Sequence, residues 1–176
     1  MSLGATKSRF LLISLAILVA DQWSKWQVEV HIPHHGANSV ISGFLNLIHV
    51  RNSGVAFGLF AANGAARSEL WLTLLGLVAL GAVGSYFWRA SLEDRTLLVA
   101  LAMVVGGALG NLIDRIATGA VTDFVDVYLG NHHWPAFNVA DAAISIGIAL
   151  LILDSLRTRP LAEPEAAVEI VRDAAP

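Results

Sequence analysis

Four stretches of the sequence are too apolar to face water: Phe10 to Ala20 with an amphipathic extension through Trp26, Leu70 to Trp88, Thr96 to Ile113, and Phe137 to Leu153. About 17 to 25 apolar residues cross a bilayer core, and only a helix satisfies its own backbone groups at that depth. Each stretch is therefore expected to be a spanning helix, at about residues 8–28, 69–88, 95–115 and 137–156. Together they predict a mainly α fold, an integral membrane four-helix bundle over residues 1–156. A hydrophobic content of 56%, a charged content of 14% and a mean hydropathy of +0.64 agree with this class and disagree with a soluble domain. Lys7 and Arg9 ahead of a short apolar run also suit a cleavable signal peptide. Leu18, however, stands where a small residue is needed for cleavage after Ala20, so the segment reads as a retained helix.

Basic residues near the segment ends sort into two groups. Lys7, Arg9, Arg89, Arg95, Arg157 and Arg159 fall on one side, and Lys25, Arg51, Arg67 and Arg115 on the other. The positive-inside rule then puts both termini in the cytoplasm. The outer connections run from about Gln27 to Glu69 and from about Ile116 to Ala136, and they hold all six histidines. Within the first, Val40 to Arg51 is rich in β-formers and predicts a small outer β element of one or two strands. Ala56 to Ala62 reads as a short interfacial helix, and Trp23, Trp26, Trp71 and Trp134 suit an aromatic belt. Residues 157–176 turn to Ala, Glu and Pro without apolar periodicity, the pattern of a disordered cytoplasmic tail. Small residues at four-residue spacing, Ala102, Gly106 and Gly110 in the third segment and Gly81 and Ser85 in the second, predict close helix packing.

Several chemistries are excluded. A net charge of -3 with eleven scattered basic residues gives no phosphate-binding surface, so nucleic acid is not an expected partner. Without cysteine there is no disulfide, thiolate nucleophile or Cys-based zinc site. Paired histidines, His34 with His35 and His132 with His133, could offer imidazoles to a metal, but neighbours in sequence rarely ligate together and no HExxH is present. No metal and no cofactor is expected.

The remaining chemistry belongs to oxygen. Asp21 ends the first helix, Asn111, Asp114 and Arg115 end the third, Asp123 and Asp126 follow, and Asn138 and Asp141 open the fourth, all on the outer side. Asp141 lies about 6 Å past Phe137 at the helical rise, hence near the interface rather than the midplane. Asn111, Asp114 and Arg115 share one helix face, as do Asn138, Asp141 and Ser145. A charge at the bilayer centre costs roughly 2.5 to 3.5 kcal/mol or more, and several carboxylates at one shallow level need a reason. Two such groups in a partly desolvated site cannot both ionise easily, which is the arrangement of an aspartic hydrolase. Asp123 and Asp141 are the favoured pair. Asp21 with Lys25 also fits an interfacial i,i+4 salt bridge, Asp114 with Arg115 fits a helix-end anchor, and Asp126 is expected to be solvated. A proton-coupled transporter would need carboxylates in both membrane halves, and the cytoplasmic halves have none. A non-catalytic scaffold would tolerate loss of both Asp123 and Asp141.

Four blocks, DQWSKW at 21–26, RNSGVAFGLF at 51–60, GGALGNLIDR with GAVTDFVD within 106–126, and FNVADAAI at 137–144, resemble the lipoprotein signal peptidases, the type II signal peptidases of bacteria. The resemblance implies a membrane aspartic endopeptidase that removes the signal peptide from prolipoproteins just before a cysteine carrying diacylglyceryl. It implies Asp123 and Asp141 as the dyad, with Asp21, Asn52, Asn111, Arg115 and Asn138 lining the site and Asp114 holding that wall. Gly54 would allow close backbone approach. Thr122 and Val55 depart from the family's commonest residues without touching the dyad. The expected setting is the bacterial inner membrane, with the site on the periplasmic face. The expected partners are lipid-modified prolipoproteins and membrane lipids, and the chain is expected to be monomeric.

Overall fold

In a computed structural model, which describes residues 3–54 and 65–157, helices and strands follow in the order α1 (Leu3–His31), β1 (Ala37–Ile41), β2 (Leu45–Asn52), α2 (Ala65–Arg89), α3 (Arg95–Thr118), β3 (Val121–Leu129), β4 (His132–His133) and α4 (Val139–Arg157). The short helix expected over 56–62, and all but the first residue of the tail, lie outside the described residues.

The central helix is α3, which packs against α1, α2 and α4. Its small residues make this possible. A Cβ on Gly106 would meet the Ser14 backbone and Ile17, one on Gly107 the Ala140 carbonyl, and one on Gly110 the Asp21 carboxylate. The packing stripe expected in α3 is therefore in use. That expected in α2 is not, because among the described residues nothing lies within 4 Å of a Cβ on Gly81. One apolar core joins Phe10, Phe87, Leu98, Leu101 and Ala102. Near it, Lys7 Nζ is buried and donates to the carbonyls of Trp88 at 2.6 Å and Ala90 at 2.7 Å, which ties the end of α2 to α1.

Three helical stretches, Leu70–Arg89, Arg95–Thr118 and Val139–Arg157, are long and apolar enough to cross a membrane. The first of the four expected spans is long but less apolar, since Asp21, Gln22 and Lys25 interrupt it. Those residues do not face outward. Asp21 and Lys25 are buried, while Leu12, Leu15 and Val19 are exposed, an inside-out distribution suited to lipid. At 29 residues α1 spans about 44 Å, longer than a bilayer core of about 30 Å. It outruns its expected end because Val28 and Ile32 pack on Phe124 in a second apolar cluster.

The β element is larger than expected. The strands form one antiparallel sheet in the order β1-β2-β3-β4, so the connection between α1 and α2 pairs with that between α3 and α4. Gly119, left-handed at φ 77°, ends α3 by donating its N–H to the Arg115 carbonyl and turns the chain into β3. Asp126 in β3 corrects the expectation of a solvated residue: it is buried, accepting from Asn46 at 3.0 Å and pairing with His133 Nδ1 at 2.7 Å. Burial works to raise its pKa, but the bonds from His133 and Asn46 outweigh it and hold the carboxyl below its usual range.

Candidate active site

The site begins with the start of α4. A helix leaves its first N–H groups without internal partners, and here side chains take them up. Asn138 precedes the first helical residue, and its Oδ1 accepts the Asp141 N–H at 3.0 Å. Asp141 Oδ2 accepts the Asn138 N–H at 3.2 Å in return, which completes a capping box. Between them, the Ala140 N–H donates to Asp21 Oδ1 at 2.9 Å. Asp141 Oδ1 receives the Asn111 amide from α3 at 2.7 Å. Asp141 is thus fixed by helix-capping geometry on one side and by the facing helix on the other.

Asp123 reaches the same place from β3. Its Oδ1 accepts Asn138 Nδ2 at 2.8 Å and its Oδ2 accepts Asn52 Nδ2 at 2.9 Å. Asn138 therefore touches both carboxylates, one through its side chain and one through its backbone. The Asn52 amide is oriented because its Oδ1 is occupied by the Gly54 N–H at 2.9 Å. Gly54 is left-handed at φ 77°, and a Cβ there would collide with Leu72. Its observed work is local, shaping the turn behind Asn52. Burial pushes the Asp123 pKa up to about 6; bonds from Asn52 and Asn138 and the charge of Lys25 oppose this, and the charge of Asp141 adds to it.

Behind these groups lies an ionic cluster. Lys25 Nζ contacts Asp21 Oδ2 at 2.7 Å, Asp114 Oδ2 at 2.8 Å and Asn111 Oδ1 at 3.0 Å, all buried. By taking the Asn111 oxygen, Lys25 leaves that amide's NH2 free to face Asp141. Asp114 also accepts Gln22 Nε2 at 2.8 Å and the Thr122 N–H at 3.3 Å, which joins α3 to β3. Asp21 and Asp114 thus form the wall behind the site rather than its surface. Arg115, half-buried, lies 3.4 Å from the Asn111 carbonyl and within the field of Asp141, Asp123 and Asp114.

The structure brings Asn52, Asn111, Asp123, Asn138 and Asp141 into one hydrogen-bonded group, with Asp21 and Asp114 behind it and Arg115 beside it. The Asp21–Lys25 pair was expected and is present, but sequence reasoning missed the reach of Lys25 to Asp114 and Asn111, and missed Gln22 and Thr122 as supports. The signal was a lysine and a glutamine beside Asp21, all in what is otherwise an apolar stretch. It also missed the capping box, although Asn-x-x-Asp ahead of an apolar run is its signature. Of the histidines, His49 is buried while His34, His35, His132 and His133 are exposed, and among the described residues no three His, Asp or Glu side chains converge as metal ligands.

The family model described as signal peptidase (SPase) II matches residues 13–157. The lipoprotein signal peptidase of Syntrophus aciditrophicus (strain SB) is 42% identical over 148 residues, 84% of this chain and 92% of that protein. That of Nitratidesulfovibrio vulgaris (strain DP4) is 44% identical, over 82% of this chain and 87% of that protein. A bacterial membrane enzyme solved by the in meso method at 1.9 Å superposes with a TM-score of 0.78 at 30% identity, over 86% of this chain and 95% of that one.

Proposed function

Because this chain belongs to the signal peptidase II family, we propose that it is an aspartic endopeptidase whose dyad is Asp123 and Asp141. The reaction that goes with the family is removal of the signal peptide from prolipoproteins. The observation that carries the aspartic reading is Asn138, which bonds both carboxylates and so holds them as one unit. A dyad carrying one shared proton activates water with its ionised member and donates with its protonated one. The raised pKa of Asp123 favours it as the holder of that proton.

Asp141 then takes a proton from a water that attacks the scissile carbonyl, and Asp123 donates toward the developing oxyanion and next to the leaving amine. Asn52, Asn111 and Arg115 are placed to align an extended substrate backbone beside the dyad. The substrate is a prolipoprotein whose cysteine carries diacylglyceryl, with the acyl chains held in the bilayer. The fold that serves this is a four-helix membrane bundle with α1 as its fourth span, which is supported by the buried pairing of its charges. Both termini lie in the cytoplasm, and the dyad opens on the outer face of the inner membrane. The chain acts as a monomer, without metal or cofactor.

The test is cleavage of a diacylglyceryl-modified prolipoprotein by the purified protein in detergent. Turnover should vanish in Asp141→Asn and in Asp123→Asn while folding survives, and a chelator should leave the wild-type rate unchanged. Cleavage that survives either substitution removes the dyad assignment, and loss of wild-type cleavage in chelator removes the metal-free mechanism.

A further inference from the structure

Strand β2 takes up one residue more than the strand it pairs with. Leu47 stands opposite Val125 and Val50 opposite Asp123, so Ile48 and His49 together face Phe124 alone. Such a β-bulge bends a strand and re-aims the side chains beyond it. With the bulge, Val50 is directly across from Asp123 and Asn52 is the diagonal neighbour on the same face, where it donates to Asp123 at 2.9 Å. Had the register of Leu47 with Val125 simply continued, His49 would stand across from Asp123 and Arg51 would be the diagonal neighbour. A one-residue slip therefore exchanges an amide for a guanidinium beside a carboxylate.

Strand β3 is held against such a slip from its other side. The N–H groups of Phe124 and Val125 both donate to the Phe137 carbonyl, at 3.1 and 2.8 Å, and the Phe137 N–H returns to Val125 at 3.2 Å. The adjustment falls to β2, and His49 anchors it. Its N–H donates to the Gly36 carbonyl at 3.1 Å and its carbonyl accepts the His35 N–H at 2.9 Å. Its buried imidazole bonds through Nδ1 to the Ile32 carbonyl at 2.8 Å. A carbonyl only accepts, so Nδ1 carries the proton. The His34 ring packs edge-on against it, 5.2 Å between centroids. The receiving turn closes with a Gly36 N–H bond to Pro33 at 2.7 Å and holds His35 at φ 64°, a conformation uncommon outside glycine. His49 Nε2 is buried without a partner among the described residues, and an unsatisfied buried polar atom is disfavoured unless the side chain has a task that outweighs it.

We propose that His49 is a positioning residue: by tying the bulge of β2 to the Ile32 carbonyl and to the turn at 33–36, it sets the register that presents Asn52 rather than Arg51 to Asp123. The inference rests on the reading of Asp123 as part of the dyad, and goes beyond it by naming what fixes the neighbour of that carboxylate.

The register can be read without turnover, because the chain contains no cysteine and any disulfide must join introduced thiols. Arg51→Cys with Thr122→Cys, opposite each other in the observed register, should cross-link on oxidation in preference to Arg51→Cys with Val121→Cys. Adding His49→Leu or His49→Ser should transfer cross-linking to the second pair. His49→Asn, whose amide can place an N–H where Nδ1 stood, should keep it on the first. Without the introduced thiols, His49→Leu and His49→Ser should cleave prolipoprotein at least about tenfold more slowly, and His49→Asn should restore most of the rate. Cross-linking that stays on the first pair in whichever of His49→Leu and His49→Ser folds overturns the proposal, as does a transferred register with unimpaired cleavage. Failure of the dyad reading shows itself separately, as cleavage by Asp123→Asn.

Discussion

Asn138 and Asp141 bond each other twice, side chain to backbone in both directions, at 3.0 and 3.2 Å. A capping box ordinarily serves only to start a helix. Here the same geometry fixes one carboxylate of the proposed dyad, and the Asn138 amide reaches on to the other. The position of Asp141 is therefore set by where α4 begins, and helix initiation and site assembly become one event.

The two duties of Asn138 should separate by substitution. Asn138→Ala removes the cap acceptor, worth about 0.5 to 2 kcal/mol, and also the donor to Asp123. Asn138→Ser keeps a cap acceptor but is too short to reach Asp123. Thermal denaturation in detergent should find the serine variant more stable than the alanine variant, and both should lose most cleavage. Restored cleavage in Asn138→Ser would show that capping alone matters.

Lys25 should be the most sensitive support. Removing one partner of a buried ion pair typically costs about 3 to 5 kcal/mol, because a buried charge is left uncompensated. Lys25→Met leaves both Asp21 and Asp114 in that state and frees the Asn111 oxygen. The variant should be strongly destabilised, and adding Asp21→Asn and Asp114→Asn should recover much of the stability without recovering cleavage. A single variant as stable as the wild type would mean that the cluster is hydrated and contributes little.

The sequence made the three membrane-length helices legible because apolar length is a local property, and it made the carboxylate cluster legible because a charge inside an apolar run has few explanations. The strands near 40–51 were readable from their composition. Strand β3 was not. Asp123 and Asp126 interrupt its apolar pattern, and its pairing depends on β2, with the Asn52 to Asp123 bond bridging 71 residues. Burial of Asp126 was hidden for the same reason, since Asn46 and His133 come from two other strands. Lys25 with Asp21 was visible as an i,i+4 pair, but Asp114 joins it only once α1 and α3 are packed.

Gly54 tests how much the site depends on a turn. Its φ of 77° disfavours any side chain, and a Cβ would enter the space of Leu72. Gly54→Ala should displace the N–H that holds the Asn52 oxygen and so release the amide from Asp123. Cleavage should fall by about tenfold or more while the thermal midpoint drops only modestly, because the turn lies outside both apolar cores. Cleavage at the wild-type rate would separate the Asn52 orientation from catalysis.

Asp123 links activity and stability to one ionisation. With Asp141 ionised, the proton on Asp123 is lost as pH rises through about 6, so kcat/KM of the free enzyme should decline above that value as the dyad loses its last proton. Asn52→Ala removes a bond that favours the ionised carboxylate, so the decline should move to higher pH. The same shift has a stability sign. A folded-state pKa of about 6, above the ordinary aspartate value of 3.8, means that the native state holds a proton that the unfolded state gives up. Wild-type stability should therefore fall by up to about 3 kcal/mol between about pH 4 and pH 6 and stay level beyond. Asp123→Asn, which cannot titrate, should lack that decline, so its thermal midpoint should gain on the wild type across this interval and hold the advantage at pH 7. Parallel curves for the two proteins would mean that Asp123 titrates in the folded protein as it does in the unfolded chain.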